Sequence, residues 1–171
     1  MAPQEMQDIA GLLESSRTEL VDTISGLTEK QARKRPAPER WSVLECLEHV
    51  AFVERRFLGF VKASEPGAAV DRDAEKEAAL KHRVENRESK RTAPEAVLPA
   101  GKHAGLAEGL ADFNAARDET VRYAAEQGAN LLTRSANHPV MGPLNGVEAI
   151  LLIVGHGRRH TEQMREAAQG R

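Results

Sequence analysis

Apolar residues in the first segment recur at three- and four-residue steps, Met6, Ile9, Leu13, Leu20, Ile24 and Leu27, with one seven-residue gap across Ser16. This is the spacing of one face of an amphipathic helix, expected over about residues 4–26, with the two prolines of "KRPAPER" stopping it. A second helix is expected to start in "WSVLECLEHV", where Ser42 and Glu45 have the spacing of a capping box, and to run to about Lys62. Its buried stripe would be Leu44, Leu47, Val50, Ala51, Phe57, Leu58 and Val61.

The pattern breaks over residues 65–103, which are charged and poor in large apolar side chains. A solvent-facing helix over about 73–88 and an extended arm at "APEAVLP" are expected there, forming a long crossover of the kind that joins parallel helices in a bundle. Periodicity resumes in a third core helix over about 104–127, carrying Leu106, Leu110, Phe113, Val121 and Ala124. After a loop at "HPVMGPLNG", Asn145 and Glu148 have capping-box spacing at the start of a fourth helix. Its body, "VEAILLIVGHGRRHTEQMREAA", is apolar nearly all round for two turns and must be deeply packed. The reading is all-α: one four-helix-bundle domain over residues 1–171, with a long crossover between its second and third helices.

Composition agrees. Aromatic residues are only 4% of the chain, leaving the core to Leu, Val, Ile and Ala, which favours helices over a β-sandwich. A net charge of −2 offers no basic footprint for nucleic acid. No stretch approaches the roughly 20 apolar residues of a membrane span and the N-terminus lacks a signal-peptide layout, so the expected compartment is the cytoplasm. With Cys46 as the one cysteine, any metal site must be built from histidines and carboxylates.

Helical spacing puts His156 and His160 on one strip of the fourth helix, continuous with Ala149, Leu152 and Ile153. His49 stands at the edge of the second helix's stripe, beside Cys46, Val53, Phe57 and Phe60. Converging buried imidazoles cannot satisfy one another cheaply if neutral, nor coexist if charged, and a divalent cation removes that conflict. Three neutral His ligands would leave positions open for water or substrate. The alternative is a core His49 bonded to Glu45, with His156 and His160 on a wet, Arg-flanked face. Spacing alone leaves both readings standing.

Other polar residues divide similarly. Arg117, on the strip of Phe113, Thr120 and Ala124, is a candidate to fork onto a substrate carboxylate or to run its stem along apolar surface to solvent. Glu45 is a candidate general base or a partner fixing the His49 tautomer, beside its capping role. Gln163 is placed to orient His160 or to lie on the surface, Trp41 reads as a staple or core anchor, Cys46 as a small buried hydrophobe, and His82 and His103 as solvated. His138, before Pro139, is expected to make a structural hydrogen bond.

"RWSVLECLEHVAFVE", "TAPEAVLPAGK", "HPVMGPLNGVEAIL" and "HGRRHTEQM", in this order over nearly the whole chain, resemble the DinB-like (YfiT-like) metalloenzyme superfamily. The resemblance implies an up-down-down-up four-helix bundle, often a homodimer, with a divalent metal, nickel or zinc, held at the positions of His49, His156 and His160. It also implies small-molecule chemistry: characterised members include S-transferases that join low-molecular-weight thiols to electrophiles, and a thiol-dependent isomerase. A metal can deprotonate a bound thiol, or lower the pKa of water for hydrolysis. The expected function is therefore a metal-dependent thiol S-transferase, with a metal-dependent hydrolase or a non-catalytic metal- or ligand-binding bundle as alternatives.

Overall fold

The computed structural model describes residues 3–88 and 92–171, with side chains from residue 8 onward, so Met6 lies outside the described side chains. Helix α1 (Pro3–Ile24) buries Ile9, Leu13, Leu20 and Ile24. The gap in its apolar stripe is filled by Ser16, which is fully buried. The prolines do not end this helix. Gly26, at φ +77°, turns the chain directly after it, in a left-handed conformation that a Cβ would strain. A short helix missing from the sequence reading, α2 (Glu29–Arg33), follows behind a Thr28–Gln31 capping box and buries Ala32.

Helix α3 (Val43–Ala63) starts at the expected reciprocal cap: the Glu45 amide donates to Ser42 Oγ at 3.2 Å and the Ser42 amide to Glu45 Oε2 at 2.8 Å. All seven stripe residues are buried, while Phe60 is exposed. Helix α4 (Ala74–Glu85) does more than face solvent. Leu80 and Val84 are buried, and Gly155 lets Val84 approach so closely that an added Cβ would lie 3.1 Å from its Cγ1. A 3-10 turn (Glu95–Val97) stands in the arm, ahead of α5 (Leu106–Gln127). The expected last loop contains a β-hairpin, β1 (Ser135–His138) and β2 (Gly142–Asn145), leading into α6 (Gly146–Ala168). The Val140 and Met141 amides each donate to His138 Nδ1 at 3.0 Å, the structural role expected of this histidine, and its ring stacks on Phe57.

Helix directions follow from the pairs that join them. Arg158 meets Glu19 and Arg165 meets Thr23, so α6 runs parallel to α1. Arg55 meets Asp112 and Lys62 meets Glu119, so α5 runs parallel to α3. Trp41 lies by His160 and His49 by His156, so α3 and α6 are antiparallel. The result is the up-down-down-up bundle.

The core is two apolar clusters, one around Leu13, Leu58 and Ile150, the other around Leu20, Leu47 and Phe113. A polar layer divides them. Arg117 forks onto Glu54 at 2.8 and 3.0 Å, donates to the Leu13 carbonyl at 2.6 Å, and reaches Ser16 Oγ. Thr120 Oγ1 donates to the same carboxylate at 2.8 Å. Gly157 packs against the guanidinium, where a Cβ would lie 3.4 Å from its Nη2. Arg117 and Glu54 are fully buried, so the charges are matched inside the bundle.

Candidate metal centre

The N-terminal half of α3 faces the C-terminal half of α6, and this antiparallel pair brings His49 to His156 and His160. One ligand-capable atom from each imidazole lies within 4.8 Å of the others. The ring centroids are 4.5 Å apart for His156 and His160, 4.7 Å for His49 and His160, and 5.1 Å for His49 and His156. His49 and His160 are buried and His156 half-buried, so the wet-face alternative is set aside.

Tautomers follow from the hydrogen bonds. His49 Nδ1 is 2.7 Å from the Val97 carbonyl, which can only accept, so the proton is on Nδ1 and Nε2 keeps a lone pair. That Nε2 stands 3.2 Å from His156 Nε2. His160 Nδ1 is buried and has no hydrogen-bond partner among the described residues. Burial lowers the pKa of His49, against the opposing effect of its bond to Val97. Burial, reinforced by His49 and Arg159, pushes His156 well below the ordinary imidazole range. His160 is driven the same way by burial and then by His156 and His49, with Gln163 pulling the other way. All three rings are therefore neutral at pH 7 and keep nitrogen lone pairs.

This donor set fits a borderline-soft divalent cation. Two imidazole nitrogens at about 2.0–2.1 Å from one tetrahedral ion lie about 3.3 Å apart, close to the observed Nε2 pair. The orphaned His160 nitrogen adds a buried polar atom in need of a partner.

Trp41 is more than a core anchor. It packs beside Leu47 and its neighbours, but its ring also lies 4.7 Å from the His49 ring and stacks on His160 at 5.9 Å. Cys46 is the small buried residue expected, and burial pushes its thiol far up, so it offers no thiolate.

Two candidate catalytic residues are placed elsewhere. Arg117 neither touches the imidazoles nor reaches solvent: Glu54, Ser16 and the Leu13 carbonyl take its donors. The Glu45 carboxylate is held by Arg35 and by the Ser42 amide, so it does not set the His49 tautomer. Burial would raise the Glu45 pKa, but Arg35 and Ser42 outweigh it and hold the carboxyl below its usual range. It faces a separate cleft of about 200 Å³, lined also by Arg33, Arg35, Glu48 and His103, with none of the three imidazoles in its wall. His82 is exposed as expected, whereas His103 is buried, with Nε2 donating to Asp112 Oδ2 at 3.0 Å.

Among known proteins, YuaE of Bacillus subtilis strain 168, an uncharacterized protein, is 24% identical over 155 residues, which is 91% of this chain and 94% of YuaE. YfiT from Bacillus subtilis, described as "a probable metal-dependent hydrolase with an unusual four-helix bundle topology", shares the fold with a TM-score of 0.61 at 18% identity, over 99% of this chain and 89% of its own. No helix among the described residues is long and apolar enough to cross a membrane. The family model of the DinB superfamily matches residues 12–164, and the chain belongs to that superfamily.

Proposed function

We propose that His49, His156 and His160 hold one divalent metal ion, nickel or zinc, and that the protein is a metal-dependent enzyme acting on small molecules. The observation that carries this reading is the convergence of three neutral imidazoles, two buried and one half-buried, with the His49 Nε2 lone pair turned toward His156. Three protein ligands leave coordination positions open, the pattern of catalytic rather than structural sites. A divalent cation bound there would supply acidity, giving a deprotonated nucleophile at neutral pH.

That nucleophile comes from outside the chain, because Cys46 is sealed in the core with its thiol protonated. A low-molecular-weight thiol attacking an electrophilic carbon is the first reading. Water, and hence hydrolysis, is the second, favoured by the description of YfiT. In either case Val97 orients His49, the Trp41 ring covers His49 and His160, and burial keeps the imidazoles neutral. The test supplies the metal-loaded protein with small thiols and an alkylating electrophile, and separately with activated esters. Metal-dependent thiol consumption that is lost in His160→Ala supports transfer. Ester cleavage without thiol supports hydrolysis, and neither activity leaves a binding protein.

A further inference from the structure

We infer that Glu48 is a positioning residue for the centre: it pins the strap of residues 95–103 to α3, so that the Val97 carbonyl holds His49 in its Nδ1-protonated tautomer. This rests on the assignment of His49 as a ligand made above. Glu48 is buried, and its carboxylate accepts three successive backbone amides, from Ala100 at 2.8 Å, Gly101 at 2.9 Å and Lys102 at 3.2 Å. Three consecutive donors aimed at one anion form a backbone nest. Gly101, at φ +73°, takes the left-handed conformation inside this nest that other residues rarely adopt.

The strap is also fastened from α5. Asp112 accepts from His103 Nε2 at 3.0 Å and pairs with Lys102 Nζ at 3.3 Å. Its start, the 3-10 turn Glu95–Val97, places the Val97 carbonyl 2.7 Å from His49 Nδ1. Glu48 and His49 are adjacent on α3, so one helix turn both anchors the strap and receives its carbonyl. Without that acceptor an imidazole is free to exchange tautomers, and the form with Nε2 protonated has no lone pair to turn toward His156. Outer partners that orient a ligating histidine in this way are commonly worth 10- to 100-fold in metal affinity.

The experiment uses metal-free, histidine-¹⁵N-labelled protein and long-range ¹H–¹⁵N correlation, which separates the two neutral tautomers of His49, followed by zinc titration. Wild type is expected to show the Nδ1-protonated form alone. Glu48→Gln and Glu48→Ala, folded by circular dichroism, are expected to show a tautomer mixture and zinc binding weaker by about 10- to 100-fold. Asn145→Ala, which removes the α6 cap far from the strap, controls for lost stability and should keep the wild-type tautomer. A folded Glu48 variant that keeps the single Nδ1-protonated form overturns the inference. If wild type binds no zinc, the ligand assignment fails, while the tautomer comparison still decides the role of Glu48.

Discussion

The indole of Trp41 lies 4.7 Å from the ring of His49 and stacks against His160 at 5.9 Å, so the chain's one tryptophan roofs two of the three imidazoles. A paramagnetic ion bound by those rings would quench its fluorescence. Titration with nickel or cobalt should reduce tryptophan emission and saturate at one equivalent, and His49→Ala should abolish the effect. Emission that declines without saturation would mean that the ion does not sit beneath the indole.

Arg117 and Glu54 form a fully buried, two-pronged ion pair between the two apolar clusters. Removing one partner of such a pair leaves an uncompensated charge in the core, at a cost of about 3–5 kcal/mol. Arg117→Ala should therefore lower the urea midpoint strongly. The fraction that remains folded should keep its full metal content, because Arg117 touches none of the imidazoles. Loss of metal from folded Arg117→Ala would restore a direct role for this residue.

Acid should destabilise the metal-free protein early. Burial holds the folded-state pKa values of His156 and His160 well below 6.5, so below about pH 6.5 the unfolded chain binds protons that the folded chain does not. Stability then falls with pH, by about 1.4 kcal/mol per pH unit for each such group, until the folded-state pKa is reached. Denaturant midpoints between pH 7.5 and 5 should drop, and His160→Gln should flatten the slope. A midpoint constant over this range would contradict neutral, desolvated rings.

At lower pH a second loss is expected from the strap's anchor on α5. Burial would raise Asp112, but Arg55 above all, with His103 and Lys102, outweighs it and brings the carboxyl to about 2. The stability this contributes is complete above about pH 4 and disappears as pH falls through 2. Asp112→Asn should remove that acid limb while leaving the limb near pH 6 in place.

Much of this was legible in the spacing of apolar residues. The α3 stripe from Leu44 to Val61 and the caps at Ser42 and Asn145 follow from local rules, and all of them occur. The placing of His156 and His160 on an apolar strip likewise rests on helical period alone. The misses are long-range. Arg117 stands on an apolar strip because Glu54, 63 residues earlier, meets it, and no local pattern records that partner. The gap at Ser16 is the same network seen from α1. His103 looked solvated within a charged segment, yet Asp112 and the strap bury it. Val97 acts through its carbonyl, which leaves no trace in residue type. The short α2 is below the length at which periodicity speaks, although Thr28 and Gln31 had the capping-box spacing that could have revealed it.

The most direct measurement is the metal content of untagged protein by elemental mass spectrometry, after supplementation at neutral pH and exhaustive dialysis, for wild type and for His49→Ala and His160→Ala. The account predicts about one equivalent of nickel or zinc in wild type, and its loss from both variants while their helical circular dichroism persists. Wild type without stoichiometric metal, or variants that retain it, would contradict the assignment of His49, His156 and His160 as a metal centre.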